Sequence, residues 1–189
     1  PIHVKIDTGM HRLGFVPADM PRLIERLHTQ RAVIVRSVFS HFVGSDSPQF
    51  DAFSREQIAL FEQASSALQA ACPHKILRHI CNTAGIERFP EAHYDMVRLG
   101  FGLYGISPID NAILHNVSTL KTTILQIRDV ASADTVGYSR KGVLKRPSRI
   151  AALPIGYADG LNRHLGNGGA YCLVNGQKAY YVGNICMDV

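Results

Sequence analysis

The sequence predicts an α/β protein: half of a (β/α)8 TIM-type barrel over residues 1–116, followed by a mostly antiparallel β domain over residues 117–189. Three observations predict it. Strand-like apolar runs alternate with helical periodicities through the first part, as in a parallel sheet covered by helices. Polar residues gather where successive strands end, which is the ligand-binding edge of parallel α/β architectures. After His115 the helical period gives way to alternating apolar and polar residues. A closed eight-stranded barrel needs roughly 250 residues, so four strand-helix units in residues 1–116 make about half of one.

The elements follow in order. His3 to Asp7 reads as a strand; Asp19 then caps a helix with Pro21 in its first turn and Leu23, Ile24 and Leu27 on its apolar face. A second strand is predicted from about Val33 to Phe42. Ser54-Arg55-Glu56-Gln57 has the pattern of a capping box, and Ile58, Phe61, Ser65, Leu68 and Cys72 follow at core-facing helical spacing. Further strands are expected at about Ile76 to Asn82 and Met96 to Leu99. The four strands read as apolar throughout, as strands buried on both faces do. In the second domain, Val117 to Ile127 and Val143 to Tyr157 alternate. Ala170 to Val174 joins Gln177 to Val182 through Asn175-Gly176, a type I′ hairpin signal.

Composition excludes several classes. The chain of 189 residues is 46% hydrophobic, enough to bury a core. No apolar run approaches the roughly 20 residues of a membrane span, and no basic-then-apolar leader opens the chain, so a cytoplasmic protein without membrane association is expected. The four cysteines lack C-x-x-C or metal-ligand spacing; they are expected to be reduced and mostly buried, with no metal bound. The net charge of +5 is scattered, without the stripe or interleaved aromatics of a nucleic-acid surface. Both ends read as lying within strands, Val4-Lys5-Ile6-Asp7 and Ile185-Cys186-Met187-Asp188-Val189, so a fragment with a truncated β domain is expected.

Chemistry concentrates around Met96-Val97-Arg98-Leu99-Gly100-Phe101-Gly102-Leu103-Tyr104-Gly105. A guanidinium emerges from a strand into a glycine-rich turn whose backbone N–H groups can approach an anion closely, which suits a phosphorylated ligand. The alternative is a plain loop with Arg98 paired to a carboxylate. Lys5, Asp7, His41, Asn82 and Thr83 stand at the ends of the neighbouring strands. His41 is either a ligand-side group or a core histidine bonded to backbone.

Taken jointly, Lys5-Ile6-Asp7-Thr8-Gly9-Met10-His11-Arg12-Leu13-Gly14, His41-Phe42, Asn82-Thr83-Ala84, Arg98-Leu99-Gly100, Val136-Gly137-Tyr138, Pro154 to Gly160 and Gly183 to Asp188 resemble the alanine racemase family, in order and across both domains. The resemblance implies that residues 1–116 are the C-terminal half of the barrel and that the cofactor is pyridoxal 5′-phosphate. It also implies a homodimer whose active site is shared across subunits, and interconversion of L- and D-alanine by two bases for peptidoglycan. By the family pattern, Arg98 faces the pyridine nitrogen, His41 lies by the ring, and Asn82 and Thr83 with Gly100 and Phe101 hold the cofactor and its phosphate. Tyr138 is a catalytic base, Arg12 and Met187 bind the substrate carboxylate, and Tyr157 lines the entrance. Lys5 stands where some members carry a carbamylated lysine; a salt bridge with Asp7 or another acid is the simpler account.

The family's Schiff-base lysine, its second base, precedes the region that matches Pro1, and no lysine of this chain fits its motif. The 189 residues alone are therefore expected to be inactive. Two other classes of function stand beside the enzyme: a non-catalytic cofactor-binding module, against which the β domain argues, and a dimerising scaffold fused to a Mur-type ligase.

Overall fold

The computed structural model describes residues 1–189, which divide into two units, Pro1–Thr119 and Leu120–Val189. The first is mixed α/β. Strands β1 (Ile2–Lys5), β2 (Val35–Phe39) and β3 (Leu77–His79) form a parallel sheet in the order β1-β2-β3. Helix α1 (Met20–Thr29) follows β1, α2 (Asp51–Ala71) follows β2, and the short α3 (Thr83–Arg88) follows β3.

The strands alternate, and this corrects the expectation of uniformly apolar ones. Val4, Ile6 and Val38 are buried in one core with Phe61, Ala64 and Leu68 of α2, while Leu23, Ile24 and Leu27 of α1 pack against it as their spacing predicts. The other face carries polar side chains in register: His3 lies opposite Ser37, and Lys5 opposite Phe39, which in turn pairs with His79. The two-residue period of a strand thus sets Val4 and Val38 on one face and His3, Ser37 and Lys5 on the other. Phe61, Leu68, Ile76 and Ile80 are fully buried, each such side chain stabilising by roughly 1.5–3 kcal/mol.

Other elements also depart from the sequence reading. Helix α2 opens at Asp51, directly after a 3-10 turn over Pro48–Phe50, so Ser54 and Gln57 lie inside it and form no capping box. Both are wholly buried. Asp19 precedes α1 without capping it; its carboxylate accepts from the Val16 N–H instead. β2 and β3 are shorter than predicted. Residues 96–99 form no strand: the Arg78 N–H bonds to the Asp95 carboxylate rather than to a neighbouring backbone carbonyl, and the backbone bonds from Asp95 N–H to Arg78 O, at 3.1 Å, and from Arg98 N–H to Cys81 O, at 3.0 Å, do not make a regular ladder. Met96 and Val97 are exposed.

The second unit contains only β-strands and short 3-10 turns. β4 (Gln126–Val130) pairs antiparallel with β7 (Ser148–Ala152), and β5 (Thr135–Val136) with β6 (Gly142–Val143). β8 (Tyr171–Val174) and β9 (Gln177–Tyr180) form the hairpin expected at Asn175-Gly176, with φ of +49° and +79° at the two turn residues. Both positive values are what a type I′ turn requires. Residues 117–125 carry no regular structure, contrary to the expected strand. All four cysteines are free, and only Cys81 is buried.

Candidate active site

The polar face of the sheet ends in a rim where β1 to β3 give way to loops, and the Arg98 guanidinium lies across it. Its Nη2 donates to Ser40 O at 2.6 Å, to Ile80 O at 3.1 Å and to His41 Nδ1 at 3.1 Å; its Nη1 donates to His79 Nδ1. Ser40 and Ile80 follow β2 and β3, so one side chain ties two strand ends together. Its Cζ also lies 5.5 Å from the centre of the Phe39 ring, on which His79 stacks at 5.2 Å.

Guanidinium has donors only, so both ring nitrogens it meets must carry lone pairs. His41 and His79 are thereby held as Nε2–H tautomers while neutral, and His79 Nε2 reaches Ser37 Oγ at 3.4 Å. Burial, the Arg98 charge and then His3 push His79 down to about 4. His41 is lowered by burial first, then by the charges of Arg98, Arg12 and Lys5. Both imidazoles are therefore uncharged at neutral pH.

Lys5, Arg12 and Arg98 form no ion pair with any carboxylate. The expected salt bridge between Lys5 and Asp7 is absent for a local reason. Asp7 Oδ1 accepts the N–H groups of Gly9, Met10 and His11 at 2.9–3.0 Å, which folds the turn leading to Arg12. Burial alone would raise this carboxyl, but these donors hold it below the usual carboxylate range. Gly14, at φ +118°, has no room for a side chain, since a Cβ would stand 2.8 Å from Lys5 O.

Beside Arg98, Thr83 Oγ1 accepts from Gly100 N–H at 2.9 Å and Gly102 N–H at 3.3 Å, leaving its own hydrogen to donate. A Cβ at Gly102 would stand 2.6 Å from Leu99 Cδ1 and 3.0 Å from Thr83 Cγ2, so a side chain there would push the exposed Leu99 aside. Phe101 is exposed. Asn82 is differently employed: its Oδ1 accepts Gly85 N–H at 2.9 Å as the cap of α3, and Ser45 Oγ–H at 2.8 Å. Chemically, the rim offers positive charge, neutral imidazoles and hydroxyl donors, its carboxylate at Asp7 being taken up by backbone N–H groups, an arrangement that holds anions.

In the second unit, Tyr157 and Met187 come together. Tyr157 N–H donates to Cys186 O and Ala158 N–H to Met187 O, both at 2.9 Å, and a Cβ on Gly156 would fall 2.3 Å from Met187 O. Arg163, unremarked in the sequence, lies 5.4 Å from the centre of the Tyr157 ring. Tyr138 is 74% exposed at the start of a 3-10 turn in which Ser139 and Arg140 both have positive φ. Asn184 Nδ2 donates to its carbonyl at 3.5 Å. The sequence reading also passed over His79 and saw Gln57 only as part of a capping box; a histidine inside a strand and a glutamine inside a helix carry no local mark of their partners.

Residues 1–108 match the family model described as "Alanine racemase, N-terminal domain", and residues 117–189 match "Alanine racemase, C-terminal domain". The chain belongs to the alanine racemase family. It is 41% identical to "Alanine racemase 2" of Caldanaerobacter subterraneus, over 99% of this chain and 49% of that protein. With the alanine racemase of Aeromonas hydrophila the identity is 39%, over 98% of this chain and 52% of the relative. The crystal structure of alanine racemase from Streptomyces lavendulae superposes with a TM-score of 0.87 at 30% identity, over 99% of this chain and 51% of that one. That of Bartonella henselae, described with covalently bound pyridoxal phosphate, gives 0.77 at 29%, over 98% and 50%. The chain thus spans about half the length of the racemases it matches. No helix is long and apolar enough to cross a membrane.

Proposed function

We propose that this chain is a region of an amino-acid racemase that interconverts L- and D-alanine with pyridoxal 5′-phosphate and supplies D-alanine for peptidoglycan. The observation that carries the reading is the half-buried Arg98 guanidinium, fixed by two neutral imidazoles and the carbonyls of Ser40, His79 and Ile80 and free of any carboxylate. Family membership over both units and the bound cofactor named for the Bartonella protein support it. In this reading residues 1–116 are the C-terminal half of a (β/α)8 barrel and residues 117–189 the β domain that closes the site of a second copy.

The residues present fit the cofactor. Arg98 would donate to the ring nitrogen, Thr83 with the backbone at Gly100 and Phe101 would hold the phosphate, and His41 would lie by the ring. When bound, pyridoxal phosphate supplies an electron sink for negative charge developing at the substrate Cα. Arg98 weakens that sink: burial lowers its pKa from the ordinary arginine value, yet a guanidinium stays charged at neutral pH and donates a hydrogen bond without surrendering its proton. Weaker delocalisation favours return of a proton to Cα over side reactions. Tyr138, offered by the second copy, would move that proton at its phenolic oxygen on one face. Arg12 and the Met187 backbone would hold the substrate carboxylate, with Tyr157 at the entrance. Lys5 would stand near Arg12 as a cationic ammonium or, if carbamylated, as an anionic carbamate able to pair with that guanidinium.

A chimera tests the reading: the matching region of the Caldanaerobacter racemase is replaced by this chain, and D-alanine formation is measured. Activity is expected, with a loss of about 10²-fold or more in Tyr138→Phe. A folded, cofactor-loaded chimera without racemase activity would overturn it.

A further inference from the structure

We propose that Gln57 is a positioning residue for the rim: its one amide fixes the backbone at His41 and Val43 and, by way of Thr8 and Ser40, the carbonyl that grips Arg98. The inference rests on the reading that this rim holds the ligand. Gln57 lies on the core face of α2 with no exposed surface. A buried amide is costly unless its hydrogen-bonding groups are engaged, and here they are. Oε1 accepts Val43 N–H at 3.1 Å, while Nε2 donates to His41 O and to Thr8 Oγ1, both at 3.0 Å. The orientation is forced, because a backbone N–H only donates and a carbonyl only accepts.

From Thr8 the chain of contacts runs on. Thr8 Oγ1 bonds to Ser40 Oγ at 2.8 Å, and Ser40 O receives the Arg98 Nη2–H at 2.6 Å. One helix side chain therefore connects the segment leaving β1, the segment leaving β2 and the guanidinium.

The same helix contains a built-in comparison. Gln69 makes the same pair of contacts, accepting from Ile76 N–H at 2.9 Å and donating to His74 O at 3.0 Å. In both cases the amide joins the carbonyl of one residue to the N–H two residues on. Gln69, however, pins the connection entering β3, at the other end of the strands, and has no onward link to the rim. Local backbone support is thus common to both residues; alignment of His41 and Arg98 is particular to Gln57.

The experiment compares Gln57→Met, which keeps the volume and loses all three contacts, with Gln57→Glu, whose carboxylate can accept from Val43 but donate to neither other partner. Gln69→Met is the control. Amide exchange at Val43 and the ring ¹⁵N signals of His41, assigned with His41→Gln, are read by NMR on the 189-residue chain. Gln57→Met is expected to speed Val43 exchange about tenfold or more and to remove the hydrogen-bonded, lone-pair signature of His41 Nδ1. Gln57→Glu is expected to keep Val43 protected yet lose that signature, and Gln69→Met to change neither. A wild-type His41 ring in either Gln57 variant, or an equal disturbance in Gln69→Met, overturns the proposal. These signals need no cofactor. Absence of pyridoxal phosphate binding by the chimera would count against the functional reading alone.

Discussion

Replacing Arg98 by lysine preserves the charge and removes the fork that spans the rim. The guanidinium meets Ser40 O, Ile80 O and the Nδ1 atoms of His41 and His79 from two nitrogens. An ammonium is a single point with three donors, so it cannot serve two carbonyls and two rings in these places. At least two contacts are lost, and Ser40 and Ile80 are 1% and 0% exposed, so water does not replace them. Charge-assisted hydrogen bonds contribute about 1.5–3 kcal/mol each, so the first unit should lose about 3 kcal/mol. With a urea slope of about 2 kcal/mol/M, the midpoint falls by about 1.5 M. The chain has no tryptophan, but α1, α2 and α3 all lie in Pro1–Thr119. Helical circular dichroism therefore reports that unit by itself. A midpoint within about 0.3 M of wild type at an unchanged slope would refute the reasoning.

Three other outcomes are expected. His79 has a folded pKa of about 4 against 6.5 for the unfolded chain. Its neutral form therefore stabilises the fold fully above pH 6.5, and this is lost as pH falls towards 4, up to about 3 kcal/mol in all; His79→Gln should flatten that part of the pH profile of urea midpoints. Ser54 Oγ is buried without a hydrogen-bond partner, so Ser54→Ala should leave stability unchanged or raise it by about 1 kcal/mol, and a fall of that size in thermal unfolding would show a contact not accounted for. Borohydride treatment of the 189-residue chain with pyridoxal phosphate should yield no stable pyridoxyl-lysine adduct by mass spectrometry; such an adduct together with turnover would show that one of its own lysines can serve.

Lys5, His41, Asn82 and Thr83 were legible because they stand just where β1, β2 and β3 end, a place fixed by the alternation of strand and helix. Asn175-Gly176 was legible for a stronger local reason, since few residue pairs accept two successive positive φ values. The misreadings share a cause: local pattern competing with tertiary partners. Ser54 to Gln57 has the spacing of a capping box, but Pro48 opens the turn into α2 earlier, which carries both residues into the core. Met96 to Leu99 has strand composition, yet the Asp95 carboxylate takes the N–H that would have extended a ladder. His79 could not be singled out at all, because its significance lies in Arg98, which is 19 residues away in sequence.

The most direct test of the arginine's role is the ¹⁵N resonance of the pyridine nitrogen of labelled pyridoxal phosphate bound to the chimera. A hydrogen-bonded but unprotonated nitrogen is expected across neutral pH, moving towards the free value in Arg98→Met. A pyridinium signal, or a resonance indifferent to that substitution, would contradict the account.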